Sequence, residues 1–118
     1  MGRLSTHVLD TTRGAPGADV AVEVLRLEPG GAWRSLKSVR TNADGRTDEP
    51  LLSGEAFTPG VYMLSFSVGD YFRGKDAATG DPPFLDVVPL RFSVADASAN
   101  FHVPLVVTPW SYSTYRGS

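Results

Sequence analysis

Towards the end of the chain the apolar positions alternate. Phe101, Val103, Leu105 and Val107 fall on one side of an extended segment, and His102, Pro104, Val106 and Thr108 on the other. A strand of this period lays its bulky set against a core and turns His102 outwards. Pro104 brings no N–H to a ladder, which suits an edge or an irregular position. The same period opens the chain: residues 4–10 read as a strand with Leu4, Thr6 and Val8 on one face and Ser5, His7 and Leu9 on the other.

Between these ends the pattern repeats. Residues 20–27 alternate Val20, Val22 and Val24 against Ala21, Glu23 and Leu25, the run Glu28-Pro29-Gly30-Gly31 reverses the chain, and residues 33–41 return as a hairpin partner. Residues 60–68 form the strongest strand, with Tyr62, Leu64, Phe66 and Val68 on one face and Val61 and Met63 on the other, a pattern that asks for cover on both sides. Residues 84–94 resume with Val88, Leu90, Phe92 and Val94. Residues 11–19, 79–83 and 96–99 carry turn chemistry, and residues 47–59 have little period and read for the most part as loop. Residues 70–78 are the one helix candidate, with Asp70 as its cap and Gly74 as its weak point. About seven to eight short strands with one short helix predict an all-β fold, an antiparallel β-sandwich.

Composition narrows the function classes. A chain of 118 residues is expected to be one domain, residues 1–118. No apolar run approaches the ~18 residues of a membrane span, and the first residues lack the apolar stretch of a signal peptide. A cytoplasmic protein with no membrane partner is the expectation. The absence of cysteine excludes a disulfide framework, a thiol nucleophile and thiolate metal ligands. A net charge of −2 offers no basic field, so no nucleic-acid partner is expected.

The catalytic inventory is short. His7 and His102 are the two histidines, and Arg46 follows Asn42-Ala43-Asp44-Gly45, a tight turn that makes a rigid mount for a guanidinium. Each has a plain reading as well, a surface histidine or a solvated loop arginine. No spacing signals a phosphate cradle, a zinc site or a nucleophile elbow, so no metal and no cofactor are expected.

Four stretches, LSTHVLD, TNADGRTD, HVPL and the terminal SYSTYRGS, give the chain from Leu4 to Ser118 a resemblance to the transthyretin-related 5-hydroxyisourate hydrolases. The ending Tyr115-Arg116-Gly117-Ser118 is the signature that separates these hydrolases from the hormone-carrying transthyretins. The resemblance implies a transthyretin-like sandwich and a homotetramer, a dimer of dimers, with active sites in the channel between dimers. It assigns catalysis to His7, Arg46 and His102, and substrate binding to Tyr115, Arg116, Gly117 and Ser118. The implied reaction opens the ring of the small-molecule substrate 5-hydroxyisourate, giving 2-oxo-4-hydroxy-4-carboxy-5-ureidoimidazoline in urate breakdown. A histidine-activated water and arginine stabilisation would carry it, and either histidine could be the base. Two positions depart from the family pattern: Asn100 stands where a further histidine is common, and Trp110 where a smaller ring is usual. The alternative is a transthyretin-like carrier of a small aromatic ligand without catalysis.

Overall fold

The computed structural model of the chain describes residues 1–117, and Ser118 lies outside the described residues. Eleven strand segments run in order β1 Arg3–Ser5, β2 Val8–Asp10, β3 Ala15–Pro16, β4 Ala21–Leu27, β5 Trp33–Arg40, β6 Leu52–Ser53, β7 Gly60–Ser67, β8 Val87–Val94, β9 Phe101–His102, β10 Leu105–Val107 and β11 Tyr112–Thr114. One α-helix, α1 Val68–Gly74, follows β7 directly, and a 3-10 turn spans Gly54–Ala56. One layer is the sheet β5-β4-β7-β8, antiparallel throughout. The other comprises β6-β1-β9 and β11-β10-β2-β3. A single core lies between the layers, with Leu4, Val8, Phe101, Leu105 and Val107 facing Val22, Val24, Tyr62, Leu64, Phe66, Val88 and Leu90. The alternation that predicted these strands is therefore the alternation of burial.

The segments outnumber the seven or eight expected because two strands are interrupted and two others are only two residues long. β1 and β2 are halves of one run broken at Thr6 and His7, and β9 and β10 are halves of another broken at Val103 and Pro104. The two runs lie parallel to each other, a pairing that sequence alternation cannot distinguish from an antiparallel one. Leu4 pairs with Phe101 and Val8 with Leu105, so the sequence offset of 97 is the same on both sides of the breaks. Hydrogen bonds carry the register across them. Val103 N donates to Ser5 O at 2.9 Å, Leu105 N to His7 O at 2.9 Å, and the buried Thr6 hydroxyl to Val103 O at 2.7 Å. Pro104 sits where its missing donor is not needed, since successive residues point to opposite sides and its side faces β11, whose pairing begins only at Leu105. The Thr114 hydroxyl satisfies the Pro104 carbonyl there at 2.7 Å.

The helix starts two residues before the expected cap. Ser67 is its N-cap, Val68, Gly69, Tyr71 and Phe72 are buried, and Asp70 lies in the first turn, where it pairs with Arg73 at 2.7 Å. Burial of the Val68, Tyr71 and Phe72 side chains outweighs the capping preference of Asp70. The Tyr71 hydroxyl donates to the Asp10 carboxylate at 2.7 Å, and the same carboxylate accepts the amides of Thr12 and Arg13 at 3.1 and 3.3 Å. That buried carboxylate thus joins α1 to the end of β2. No helix among the described residues is long and apolar enough to cross a membrane.

Candidate active site

The interruption between β1 and β2 is what delivers His7. With Thr6 turned inward onto Val103, His7 projects from the opposite side of the chain, and its Nε2–H donates to the carbonyl of Asp44 at 2.9 Å. A carbonyl can only accept, so this bond places a proton on Nε2 and leaves Nδ1 as the acceptor of the neutral ring. Asp44 belongs to the tight turn expected over residues 42–45. The Asn42 side-chain carbonyl accepts the amides of Asp44 and Arg46 at 2.9 and 3.2 Å, and Asn42 N donates to Arg46 O at 2.7 Å.

Gly45 docks this turn onto the strand. Its carbonyl accepts Val8 N at 2.8 Å, its φ is +75°, and a Cβ there would meet Val8 O. The position requires glycine on both counts, a left-handed backbone and a contact with no room for a side chain. His7 and Arg46 are therefore mounted on two segments locked together by the Val8–Gly45 and His7–Asp44 bonds. The Arg46 side chain is exposed, beside a small open cleft of about 190 Å³ lined by Ser5, Thr6, Arg46, Thr47, Asp48 and Glu49.

His102 comes to the same place from the other end of the chain. It is half-buried on β9 directly opposite Ser5, whose hydroxyl lies 2.9 Å from its Nδ1. Burial holds back its imidazolium form first, and the Arg46 guanidinium, with His7 in its protonated form, adds to that, so its pKa lies below the ordinary imidazole value. The ring is neutral at physiological pH. Ser5, the partner of His102, also lines the cleft beside Arg46, and His7 lies two residues further along the same run, so the three residues come to one side of the fold from separate parts of the sequence.

The tail returns to His102. After β11 the chain doubles back, and Gly117 N donates to His102 O at 2.7 Å. A Cβ on Gly117 would lie 2.9 Å from His102 Cδ2. Arg116 and Tyr115 turn elsewhere. The Arg116 guanidinium stacks 4.1 Å from the Phe101 ring centroid and donates to Asn100 O at 3.3 Å. With Tyr115, Phe92 and Val103 it lines a groove of about 460 Å³. The structure thus gathers His7, Arg46, His102 and Gly117, and places Tyr115 and Arg116 on the side of β9 where Phe101 points. Ser118, the last of the expected site residues, lies outside the described residues. Asn100, the departure from the family pattern, contributes its carbonyl to hold Arg116. Trp110, the other, is exposed and packs on Phe84 with ring centroids 5.6 Å apart.

Three participants escaped the sequence reading. Ser5 sits on the His7 face of the first strand, but a serine on an outer face is commonplace; Thr6 and Gly45 act through a break and a docking contact that no period announces. Among the described residues no three His, Asp or Glu side chains gather as a metal site. What the arrangement offers is a neutral, half-buried imidazole, a second imidazole bonded through Nε2 to the 42–46 turn, and an exposed guanidinium carried on that same turn. That set is suited to moving a proton near a developing negative charge.

Comparison with known proteins gives a consistent answer. Residues 4–117 match the HIUase/Transthyretin family. The 5-hydroxyisourate hydrolase of Ralstonia nicotianae is 58% identical over 118 residues, covering 100% of both chains. The crystal structure of (S)-allantoin synthase superposes with a TM-score of 0.92 at 44% identity, covering 99% of this chain and 44% of that one. Sea bream transthyretin in complex with thyroxine superposes at 0.88 with 25% identity, covering 98% and 94%.

Proposed function

The chain belongs to the HIUase/Transthyretin family, and from that premise we propose that it is a 5-hydroxyisourate hydrolase, opening the substrate ring to 2-oxo-4-hydroxy-4-carboxy-5-ureidoimidazoline. The observation that carries the reading is the convergence of His7, Arg46 and His102, with His102 held neutral. His102 Nε2 takes a proton from water as the water oxygen attacks a ring carbonyl carbon. Arg46 offsets the charge that develops on the carbonyl oxygen. The ring C–N bond then breaks, and the proton on His102 passes to the departing nitrogen, which returns the imidazole to its starting state. His7, with Nε2–H committed to Asp44, offers Nδ1 as an acceptor for the water or a substrate N–H.

A transthyretin-like carrier is the second reading, favoured by the likeness to sea bream transthyretin. A carrier has no use for a neutral imidazole beside a guanidinium, and the identity to the Ralstonia hydrolase is more than twice as high. The hydrolase reading includes a homotetramer built as a dimer of dimers, with Tyr115 to Ser118 contributing to substrate binding. Two features support assembly. The cleft beside Arg46 holds about 190 Å³, below the ~300 Å³ at which small-molecule pockets usually begin, and a second copy would supply the missing wall. Phe84 and Trp110 are 66% and 62% exposed as a packed pair, an apolar surface that a neighbouring copy would cover. A cytoplasmic location belongs to the same proposal and fits a chain without cysteine.

The test follows freshly generated 5-hydroxyisourate by ultraviolet absorbance in buffer alone, with the protein, and with its His102→Ala variant. Faster decay with the protein and a loss of ~10²–10⁴ in that gain for the variant are expected. A folded protein that leaves the buffer rate unchanged refutes the hydrolase and leaves the carrier.

A further inference from the structure

Proton transfer at Nε2 of His102 requires the ring to present that nitrogen, with its lone pair, to the open side. Two things must be fixed for this, the rotation of the ring about its bond to Cβ and the nitrogen that carries the hydrogen. A residue outside the histidine and arginine set lies at hydrogen-bond distance from the other ring nitrogen, where it can act on both.

The imidazole of His102 is held between its two edges. On one edge Nδ1 lies 2.9 Å from Ser5 Oγ. On the other, Cδ2 faces Gly117, close enough that a Cβ there would lie 2.9 Å away. Turning the ring over would put a carbon against the Ser5 hydroxyl and a nitrogen against the Gly117 backbone, so the hydroxyl selects the observed orientation. The hydroxyl also acts on the proton. When Nε2 is protonated during the reaction the ring is an imidazolium, and its Nδ1–H must donate to Ser5 Oγ. If that direction already holds in the resting ring, Nε2 begins as a bare acceptor and nothing needs to reorient. Among the described residues the groups that act electrostatically on His102 are Arg46 and His7, both opposing its positive form. Arg116, the other nearby cation, is committed to Phe101 and Asn100.

We propose that Ser5 is a positioning residue for the hydrolysis, accepting Nδ1–H of His102 so that Nε2 faces the substrate as the base. The inference rests on the hydrolase reading and deepens it. Ser5 and His102 are cross-strand partners of β1 and β9, so the contact is built into the sheet register and does not depend on a flexible loop. A neutral hydroxyl orients the ring without adding the negative charge that a carboxylate partner would bring. It leaves His102 a weak base that is unprotonated at working pH, whereas a carboxylate at this position would raise its pKa.

The experiment compares Ser5→Ala, Ser5→Thr and Ser5→Asp in the folded protein, with 5-hydroxyisourate turnover and the long-range proton–nitrogen spectrum of the two histidines as readouts. Ser5→Ala should lower kcat about tenfold with KM little changed, and the nitrogen shifts of His102 should lose the single Nδ1–H tautomer. Ser5→Thr should restore both, since it keeps a hydroxyl at the same carbon. Ser5→Asp should move the acid limb of the kcat profile to higher pH. Wild-type turnover in Ser5→Ala with unchanged His102 nitrogen shifts overturns the proposal, as does a Ser5→Thr protein that is folded but as slow as Ser5→Ala. Failure of the hydrolase reading has its own signature, because wild-type protein would then give no turnover while the tautomer readout would still report on Ser5.

Discussion

Replacing Gly45 by alanine should damage stability and turnover together, for reasons visible at one contact. The new side chain must sit on a backbone with φ of +75°, which costs an L-residue about 1–2 kcal/mol. Its Cβ would also fall on Val8 O, with Gly17 N and Pro16 Cβ at 3.2 Å, so the turn has to lift from β2. Lifting it stretches the Val8 N to Gly45 O bond of 2.8 Å, worth ~1 kcal/mol, and disturbs packing by about as much again. The total is about 3 kcal/mol, or roughly 10–15 °C in Tm for a domain of this size. Gly14→Ala is the matched control: φ is +62° but nothing lies within 4 Å of the added carbon. It should show the backbone strain alone, about 1 kcal/mol. In Gly45→Ala the Asp44 carbonyl that fixes His7 moves with the turn, and kcat should fall roughly 10- to 100-fold. Thermal unfolding and the ultraviolet decay assay, run on both variants at one protein concentration, decide the matter. Equal Tm losses in the two, or full turnover in Gly45→Ala, would show that the turn is not docked as described.

Three further outcomes follow from the site and its supports. Because the pKa of His102 lies below the ordinary value and the base works unprotonated, turnover should hold until the pH falls through that lowered pKa; Arg46→Gln should shift this acid limb to higher pH besides slowing the reaction. Gly117→Ala should push on the His102 ring at Cδ2 and reduce kcat while Tm stays nearly unchanged, since the tail packs at the edge of its sheet, and a rate equal to wild type would dismiss the contact. Tyr71→Phe removes a donor from the buried Asp10 carboxylate and should cost about 1–2 kcal/mol in denaturant unfolding with kcat untouched, because that bond joins α1 to β2 and touches none of the site residues.

The long strands were legible because burial and alternation coincide: Val22, Val24, Leu64 and Phe66 are core residues for the same reason that they read as one face. The irregularity at Pro104 was legible in the missing donor of that residue, but the break at Thr6 was not, since a constant register lets the alternation of Leu4, Thr6 and Val8 run straight through it. β3 and β6 are too short to have a period at all. The helix start was misplaced because Val68 continues the two-residue pattern of β7 and reads as strand until Tyr71 and Phe72 are seen to share its burial. Candidate site residues could be named from their motifs, but their meeting could not be derived. A 97-residue separation between Ser5 and His102 leaves no local mark, and a serine becomes informative only when the ring opposite it is known.

The parallel pairing of the first run with the last has a consequence for how activity is acquired. β1 and β2 emerge from the ribosome long before β9 and β10, their central neighbours, and until those arrive one edge of the early strands has no partner. The contiguous β4, β5, β7 and β8 ladder can form from chain already made, whereas this closure joins segments almost a whole chain apart and is entropically the most expensive step. His7 and His102 sit on opposite sides of that closure. On the proposed mechanism a nascent chain without β9 lacks His102, so turnover during synthesis is expected only after this closure.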